Sequence, residues 1–264
     1  MRIPWLCLVL LVGLGVAGHA EGRLRVCVAD VAQPPFVYWQ GGADALRNTS
    51  PQIQGLAVDV LKLIAGRMGR DPVDVTALPL RRCLAMVASG QMDMVANVPT
   101  AQIDPKPYLI TESYFTLTSE YFYWKPRFPD GVTIKVVDDL LRYRVCGIAG
   151  YNYEAYGLSV GQVDMGAQNY HALIHKMASG RCDLFIDKRE TIESLRLVDA
   201  DLFKELMSGT FGVGTLKEDL PTGLHYAFSR QMPDGAVHLA RFNAALADAK
   251  RHGEINRLAE PYLH

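Results

Sequence analysis

The sequence predicts an α/β fold of two similar lobes, each an open and mostly parallel sheet flanked by helices. The chain has 264 residues, of which 49% are hydrophobic, and this is enough to build more than one core. In addition, "MVASGQMDMVAN" at 86–97 returns as "KMASGRCDLFID" at 176–187. Each copy has a helical pattern that ends at a glycine, then an aspartate, then a buried strand. Two copies of one unit indicate two lobes.

The N-terminus predicts an export signal. The segment "MRIPWLCLVLLVGLGVAGHA" has a charged start, an apolar stretch from Trp5 to about Val16, and small residues at Gly18 and Ala20. A membrane anchor is the alternative, but the apolar stretch is shorter than the roughly 20 residues that span a bilayer. We therefore expect cleavage near Ala20 and a mature protein in the periplasm.

The overall charge argues against one class of partner. The sequence has 27 Lys and Arg against 28 Asp and Glu, a formal net charge of −1, and no dense basic block. Nucleic-acid binding normally requires a basic surface to neutralise phosphates. We expect no nucleic-acid partner.

The first half of the chain reads as alternating strands and helices. "RLRVCVADV" predicts a buried first strand, followed by a turn at Pro34-Pro35 and an aromatic cluster. "GLAVDVLKLIAGRMG" has the apolar spacing and closing glycines of an amphipathic helix. "VDVTAL", "LRRCLAMVASG" and "DMVANV" then predict a strand, a helix and a third strand.

The second half repeats this order. Arg-Val-Cys at 25–27 recurs at 144–146, and "YHALIHKMASG" and "CDLFID" match the later helix and strand, so that Asp187 falls where Asn97 fell. The two copies are further apart at the first strand than at the glycine that ends the helix. The second lobe must therefore lack most of a helix in between.

Polar and aromatic residues follow the predicted strands of the first lobe. Ligands of open α/β sheets bind at the carboxyl ends of the strands. We expect Phe36 and Tyr38, in the loop after the first strand, to form an apolar wall, although such aromatic runs are more often core. Asn97 and Thr100 end the third strand and can form hydrogen bonds with a ligand.

The second lobe supplies further candidate ligand-binding residues. "AGYNY" places Gly150, Tyr151, Asn152 and Tyr153 at a helix start, where free N–H groups suit a ligand carboxylate or another anion. A plain N-cap at Asn152 explains that residue nearly as well. Asp187 ends a buried strand, where an unpaired carboxylate is costly. We expect it to bind a ligand unless solvent reaches the strand end.

Several stretches together resemble one family. "PPFVY", "GLAVDVL", the two Ser-Gly repeats and the closing "FNAALADAKRHGEINRLAEPYL" are similar to bacterial extracellular solute-binding proteins of polar amino-acid ABC importers. The resemblance covers nearly all of the mature chain. It implies a type II periplasmic-binding-protein fold, a monomeric clamp that closes on a solute and presents it to a membrane permease, without a cofactor.

The resemblance also implies how the chain is divided. Lobe one would be 21–118 plus 219–264, and lobe two 119–218. The hinge crossings would lie at "SEYFYWKP" and near "GTFGVGTLKEDL".

The resemblance gives Asp187 the position whose carboxylate pairs with a ligand ammonium group. This sequence departs from the family at Ile103, which stands where the family has an Arg that clamps the α-carboxylate of an amino acid. Lys106 is a partial substitute. We therefore expect a small polar solute, above all an amine-bearing one, and not a standard α-amino acid. A cationic, zwitterionic or neutral polar ligand or a specialised role stays open.

The cysteines allow three pairings. Loss of the signal segment leaves Cys27, Cys83, Cys146 and Cys182 in an oxidising compartment. In the two-lobed arrangement that the resemblance implies, pairing within a lobe leaves the hinge free. We therefore expect Cys27–Cys83 and Cys146–Cys182.

Three further possibilities have less support in the sequence. An exported dehydratase-like enzyme could use Glu154 or Asp187 as a general acid, but no nucleophile with an adjacent base is evident, and we expect no enzyme. His171 and His175 are four apart on a helix, yet a solvated face explains them more simply than a metal. A sensing or accessory protein without transport stays open.

Overall fold

The computed structural model describes residues 23–40, 45, 51–70, 72–99, 103–149, 151, 153–159, 161–216 and 222–263. The predicted signal peptide at 1–20 and the predicted ligand-binding residues Thr100, Gly150 and Asn152 lie outside the described residues. Within those ranges, no helix combines the length and the apolar character that crossing a bilayer requires.

The described elements follow the predicted order of strands and helices. The strands are β1 (Leu24–Ala29), β2 (Val73–Leu78), β3 (Met94–Pro99), β4 (Tyr108–Ile110), β5 (Phe115–Leu117), β6 (Ser119–Trp124), β7 (Val145–Ile148), β8 (Val163–Ala167), β9 (Leu184–Lys188), β10 (Phe211–Thr215) and β11 (Thr222–Ser229). The helices are α1 (Leu56–Arg67), α2 (Leu80–Ala88), α3 (Tyr170–Ala178), α4 (Arg189–Val198), α5 (Ala200–Met207), α6 (Gly235–Arg251) and α7 (Glu254–Leu263). Short 3₁₀ turns cover Val137–Arg142 and Glu154–Tyr156.

These strands form two sheets. Sheet one has the order β2-β1-β3-β11-β4, with β5 also paired to β11, and sheet two has the order β10-β6-β9-β7-β8. In each sheet three strands run parallel, namely β1, β2 and β3 in sheet one and β7, β8 and β9 in sheet two. The other strands pair antiparallel. Each sheet is therefore mixed, but most of its strands run in one direction, as the sequence predicted. Among the described strands, β11 in sheet one and β6 in sheet two are the ones that run against the others.

The sequence repeat has a shared structural cause. Arg25 donates from its backbone N to Asp93 Oδ2 at 2.8 Å and from Nη2 to Oδ1 at 2.7 Å. Arg144 contacts Asp183 in the same way, at 2.9 Å and 2.8 Å. In both lobes the aspartate after the helix therefore ties the start of the next strand to the start of the first strand.

The two lobes differ where the sequence predicted a missing helix. Between β1 and β2 the chain forms the twelve-residue helix α1, whereas the residues described between β7 and β8 contain one short helical segment, the 3₁₀ turn Glu154–Tyr156. This confirms the prediction that lobe two lacks most of a helix.

Each sheet has its own hydrophobic core and its own disulfide. Cys27 is bonded to Cys83, and Cys146 is bonded to Cys182, which we call the lobe-two disulfide. All four cysteines are fully buried. Both bonds join elements around one sheet, so neither crosses from one sheet to the other.

Candidate functional site

Asp187 lies at the carboxyl end of β9, a strand in which every residue is buried. Only 5% of its surface is exposed. Its Oδ2 accepts a hydrogen bond from the Tyr170 hydroxyl at 2.6 Å, and its Oδ1 accepts one from the backbone N–H of Lys188 at 2.7 Å. A carboxylate has about four lone-pair sites, so it keeps acceptor capacity for a ligand.

The electrostatic environment of Asp187 is unusual for a buried carboxylate. Burial raises its pKa to about 6, against the lowering influence of the Tyr170 hydroxyl, the Lys188 N–H and the Lys188 charge. No Lys or Arg in the described part of the chain forms a salt bridge with it, in contrast to Asp183, which pairs with Arg127 and Arg144. A buried charge without an ionic partner is costly and is retained mainly at functional sites.

Two tyrosines, Tyr151 and Tyr170, lie near this carboxylate, and ring contacts continue from Tyr151 through Tyr153 to Tyr156. The hydroxyls of Tyr151 and Tyr170 lie close enough for each to influence the pKa of the other, and the Asp187 charge raises both pKa values in addition to burial. The ring of Tyr151 stacks on Tyr153 at 6.5 Å between centroids, and Tyr153 lies 6.0 Å from Tyr156. Tyr151 is 45% exposed, so one part of this tyrosine cluster is open to solvent.

Backbone geometry holds the tyrosine cluster in place. The Tyr153 hydroxyl accepts a hydrogen bond from the N–H of Ile148 at the end of β7. Gly147 lies directly beneath the same ring, and a Cβ there would come within 2.4 Å of it. Tyr170 is the first residue of α3, which Asn169 caps through its side chain. The cluster is therefore built on the carboxyl ends of β7 and β9 and the start of α3.

The sequence analysis placed Tyr153 at the predicted helix start without assigning it to the ligand site, and it missed Tyr156 and Tyr170. Tyr153 and Tyr156 lie in the "YNYEAY" stretch next to the predicted Tyr151, and this density of tyrosine was a usable signal. Tyr170 gave no local signal, because its contact with Asp187 depends on how α3 packs on sheet two.

Asn97 is buried, and its side chain already forms hydrogen bonds with two other side chains. Its Oδ1 accepts from the Tyr114 hydroxyl at 2.7 Å and its Nδ2 donates to Gln33 Oε1 at 2.8 Å. The residue has a left-handed φ of 60° at a bulge of β3, where the pairing with β11 shifts its register. Asn tolerates this conformation better than most residues. Its direct contacts are thus with protein groups.

The two aromatic residues of the first loop lie apart from the tyrosine cluster. Phe36 is 4% exposed and its ring packs 5.4 Å from Phe115 within the core of sheet one. Tyr38 is half-buried and its ring meets Tyr262 of α7 edge-on at 6.4 Å. Phe36 is therefore a core residue in this structure, which is the alternative that the sequence analysis left open.

The residue at position 103, Ile103, has no charge with which to bind a ligand carboxylate. Ile103 is 8% exposed and belongs to a hydrophobic cluster with Cys27, Cys83 and Val98. Lys106 is exposed, and its backbone N–H donates to Asp104.

The described residues also locate the possible metal ligands and the possible general acid. His171 and His175 lie exposed on α3, and His171 Nε2 is 3.8 Å from Asp199. Glu154 is exposed at the start of its 3₁₀ turn. Asp164 has two sulfur neighbours, but these belong to the lobe-two disulfide and cannot act as thiolate ligands while it is formed.

Sequence comparison gives no relatives. A scan against protein-family models finds no match, and a search of curated proteins finds none either.

Solved structures are similar over nearly the whole chain. An ancestral cationic amino acid solute-binding protein is 16% identical, with a TM-score of 0.64, and covers 92% of this chain and 96% of its own. The amino acid ABC transporter substrate-binding protein AbpA from Streptococcus pneumoniae, bound to L-arginine, is 18% identical, with a TM-score of 0.60 and coverages of 92% and 95%. The GluR0 ligand-binding core in complex with L-glutamate is 15% identical, with a TM-score of 0.63 and coverages of 92% and 98%.

At this level of identity the similarity establishes the fold. The chain has the two-lobed periplasmic-binding-protein fold, with one mixed sheet in each lobe and helices around both.

Proposed function

We propose that this protein is a periplasmic solute-binding protein that closes on a small, polar, amine-bearing solute and delivers it to an ABC importer. The observation that supports it most is Asp187, a buried carboxylate at the carboxyl end of a parallel strand for which the described residues supply no salt bridge. A ligand ammonium group would supply the missing charge, and the rings of the tyrosine cluster can contact a cation through their faces. Tyr151 and Asp187 would be the ligand contacts in lobe two.

The proposal includes the division of the chain and its location. Lobe one would comprise 21–118 plus 219–264 and lobe two 119–218, with export through the 1–20 segment and a monomeric mature protein. The strands of sheet one fall within 24–117 and 222–229, and those of sheet two within 119–215, which is compatible with these limits.

Closure would follow from differential binding. A ligand that touches both lobes favours the state in which both sets of contacts form, and the shift is limited by its differential affinity for that state. This is binding without catalysis. The similar structures are likewise described as binding proteins or ligand-binding cores.

The test is a thermal-shift and calorimetry screen with matched pairs of ligands. Agmatine is compared with L-arginine, cadaverine with L-lysine, and tyramine with L-tyrosine, because each pair differs only in the α-carboxylate. At a hundred times Kd, a ligand should stabilise the folded protein by about 2.7 kcal/mol. We expect the amine of at least one pair to bind and its amino acid to bind more weakly, since Ile103 offers the carboxylate no cation.

The outcomes separate the parts of the proposal. Preference for the amino acid would leave a solute-binding protein but would refute the amine class. Absence of binding by every member of the panel, with the protein folded, would contradict the binding function itself.

A sensing or accessory role is the second candidate. The similarity to the GluR0 ligand-binding core supports it, because that structure is described as a ligand-binding core and not as a substrate-binding protein of a transporter. Uptake of a labelled amine by cells with and without this gene distinguishes the two. Unchanged uptake, despite binding by the purified protein, would favour sensing.

A further inference from the structure

Lys188 connects β9 to both strands that begin at the crossings between the sheets. Its ammonium group donates hydrogen bonds to Ser119 Oγ at 2.5 Å and to Thr222 Oγ1 at 3.1 Å. Ser119 is the first residue of β6 in sheet two, and Thr222 is the first residue of β11 in sheet one, where it pairs with Leu117 of β5. One side chain therefore joins the sheet that carries Asp187 to the other sheet.

Lys188 is a buried cation whose ammonium group contacts hydroxyl oxygens and an aromatic ring. The residue is only 9% exposed, and its ammonium group lies 4.7 Å from the centre of the Tyr156 ring. A buried ammonium group is stable only where oxygen atoms and ring faces replace its water. Rotation of one lobe relative to the other would move Thr222 away from β9, so this set of contacts exists over a limited range of interlobe angles.

The residues after Lys188 hold the first crossing more tightly still. The backbone N–H of Arg189 donates to the carbonyl oxygen of Thr118 at 2.8 Å, and the Glu190 carboxylate accepts from the Thr118 N–H at 3.0 Å. The Arg189 guanidinium group pairs with Glu120 at 2.7 Å. With this crossing fixed to lobe two, the contact between Lys188 and Thr222 responds to the interlobe angle.

The same peptide also belongs to the proposed ligand site. The backbone N–H of Lys188 donates to Asp187 Oδ1. Successive side chains of a strand point to opposite faces. Accordingly, Asp187 meets Tyr170 on one side of sheet two, and Lys188 meets Tyr156 on the other. A change in charge at Asp187 therefore alters the hydrogen bond that the backbone N–H of Lys188 donates to it.

We propose that Lys188 is a positioning residue that couples the charge state of the Asp187 site to the angle between the lobes. This inference rests on the proposed clamp function. Lys188 acts through the hinge strands, and contact with the ligand is not part of its role.

The experiment measures interlobe distances without a ligand. Spin labels are placed on cysteines introduced at the exposed positions Arg81 and Asp201, one in each lobe, while the native cysteines stay in their buried disulfides. Electron double-resonance spectroscopy then gives the distance distribution. Lys188→Met and Thr222→Val remove the contact from either side with little change in shape, and Lys135→Met, at an exposed lysine of lobe two, is the control.

We expect Lys188→Met and Thr222→Val each to lower the population of the main distance relative to the others about tenfold, equivalent to about 1.4 kcal/mol. The Lys135→Met distribution should match that of the parent. Distributions for both site variants that superimpose on the parent would overturn the proposal. So would a lowered melting temperature with an unchanged distribution, because a merely structural contact predicts that result.

A double-mutant cycle tests the coupling itself. Asp187→Asn neutralises the carboxylate as a bound cation would, and it should shift the distance distribution in the parent but not in Lys188→Met. An equal shift in both backgrounds would contradict the coupling. Failure of the clamp function would be seen separately, as absence of binding by every amine of the panel, because no distance measurement here requires a ligand.

Discussion

Replacement of Asp187 by Asn should make the ligand-free protein more stable and should abolish amine binding. Asn has nearly the same shape, can accept from the Lys188 N–H through its oxygen, and can donate to the oxygen of Tyr170. It cannot ionise. The variant therefore removes the cost of a buried charge without opening a cavity.

The size of this effect follows from the pKa of Asp187. Burial raises that pKa from 3.8 to about 6, so between these values the folded protein holds a proton that the unfolded chain has released. Stability from this group is therefore highest at low pH and is lost as the pH rises through about 6. A difference of about two pKa units corresponds to about 3 kcal/mol, of which about 2 kcal/mol develops between about pH 4.5 and pH 7.5.

Urea unfolding at several pH values measures how the free energy of unfolding changes in Asp187→Asn. Asp183→Asn is the matched control. Asp183 is equally buried in the same lobe; burial alone would raise its pKa, but hydrogen bonds and charges from Arg144 and Arg127 lower it overall. Its replacement should therefore destabilise the protein above about pH 5. If Asp187→Asn were as destabilising as the control at neutral pH, the assignment of Asp187 as a functional carboxylate, without a salt bridge to the described residues, would be refuted.

Three further predictions concern the same lobe. Tyr170→Phe removes the hydroxyl that lowers the pKa of Asp187, so calorimetric titrations between about pH 5 and pH 8 should show amine binding beginning at a higher pH; an unchanged pH profile would contradict the contact. Gly147→Ala places a methyl group within 2.4 Å of the Tyr153 ring, and we expect a loss of about 1–3 kcal/mol in unfolding experiments together with weaker amine binding. Normal affinity would show that the ring is not part of the site. Replacement of both cysteines of the lobe-two disulfide by alanine opens a loop with a sequence separation of 36 and should cost about 3.8 kcal/mol on the chain-entropy scale; a cost below about 1 kcal/mol would show that the reduced chain stays compact.

The sequence alone predicted most of the architecture. Apolar periodicity located β1, α1, α2, β3, α3 and β9, because the spacing of buried side chains is a local property of strands and helices. The repeat predicted two similar lobes, and the structure adds the reason, since Arg25 with Asp93 and Arg144 with Asp183 form the same contact. The strand directions were less predictable, because pairing of β6, β10 and β11 depends on how the chain crosses between sheets.

The site was predicted only in part. Asp187 could be singled out because a carboxylate at the end of an apolar strand is visible in the sequence, and Tyr151 because it follows β7. Asn97 occupies the matching position in lobe one, yet Gln33 and Tyr114 use its side chain. Only the tertiary structure brings together residues so distant along the chain.

The chain thus determined by itself its strands, its helices and the edge of each sheet where a ligand would bind. Tertiary structure decided which polar groups at those edges keep capacity for a ligand. It placed Phe36 in the core, brought Tyr170 to Asp187, and set Lys188 between two strands that begin 103 positions apart, at Ser119 and Thr222. Such contacts arise from packing between segments remote in sequence, and no local pattern encodes them.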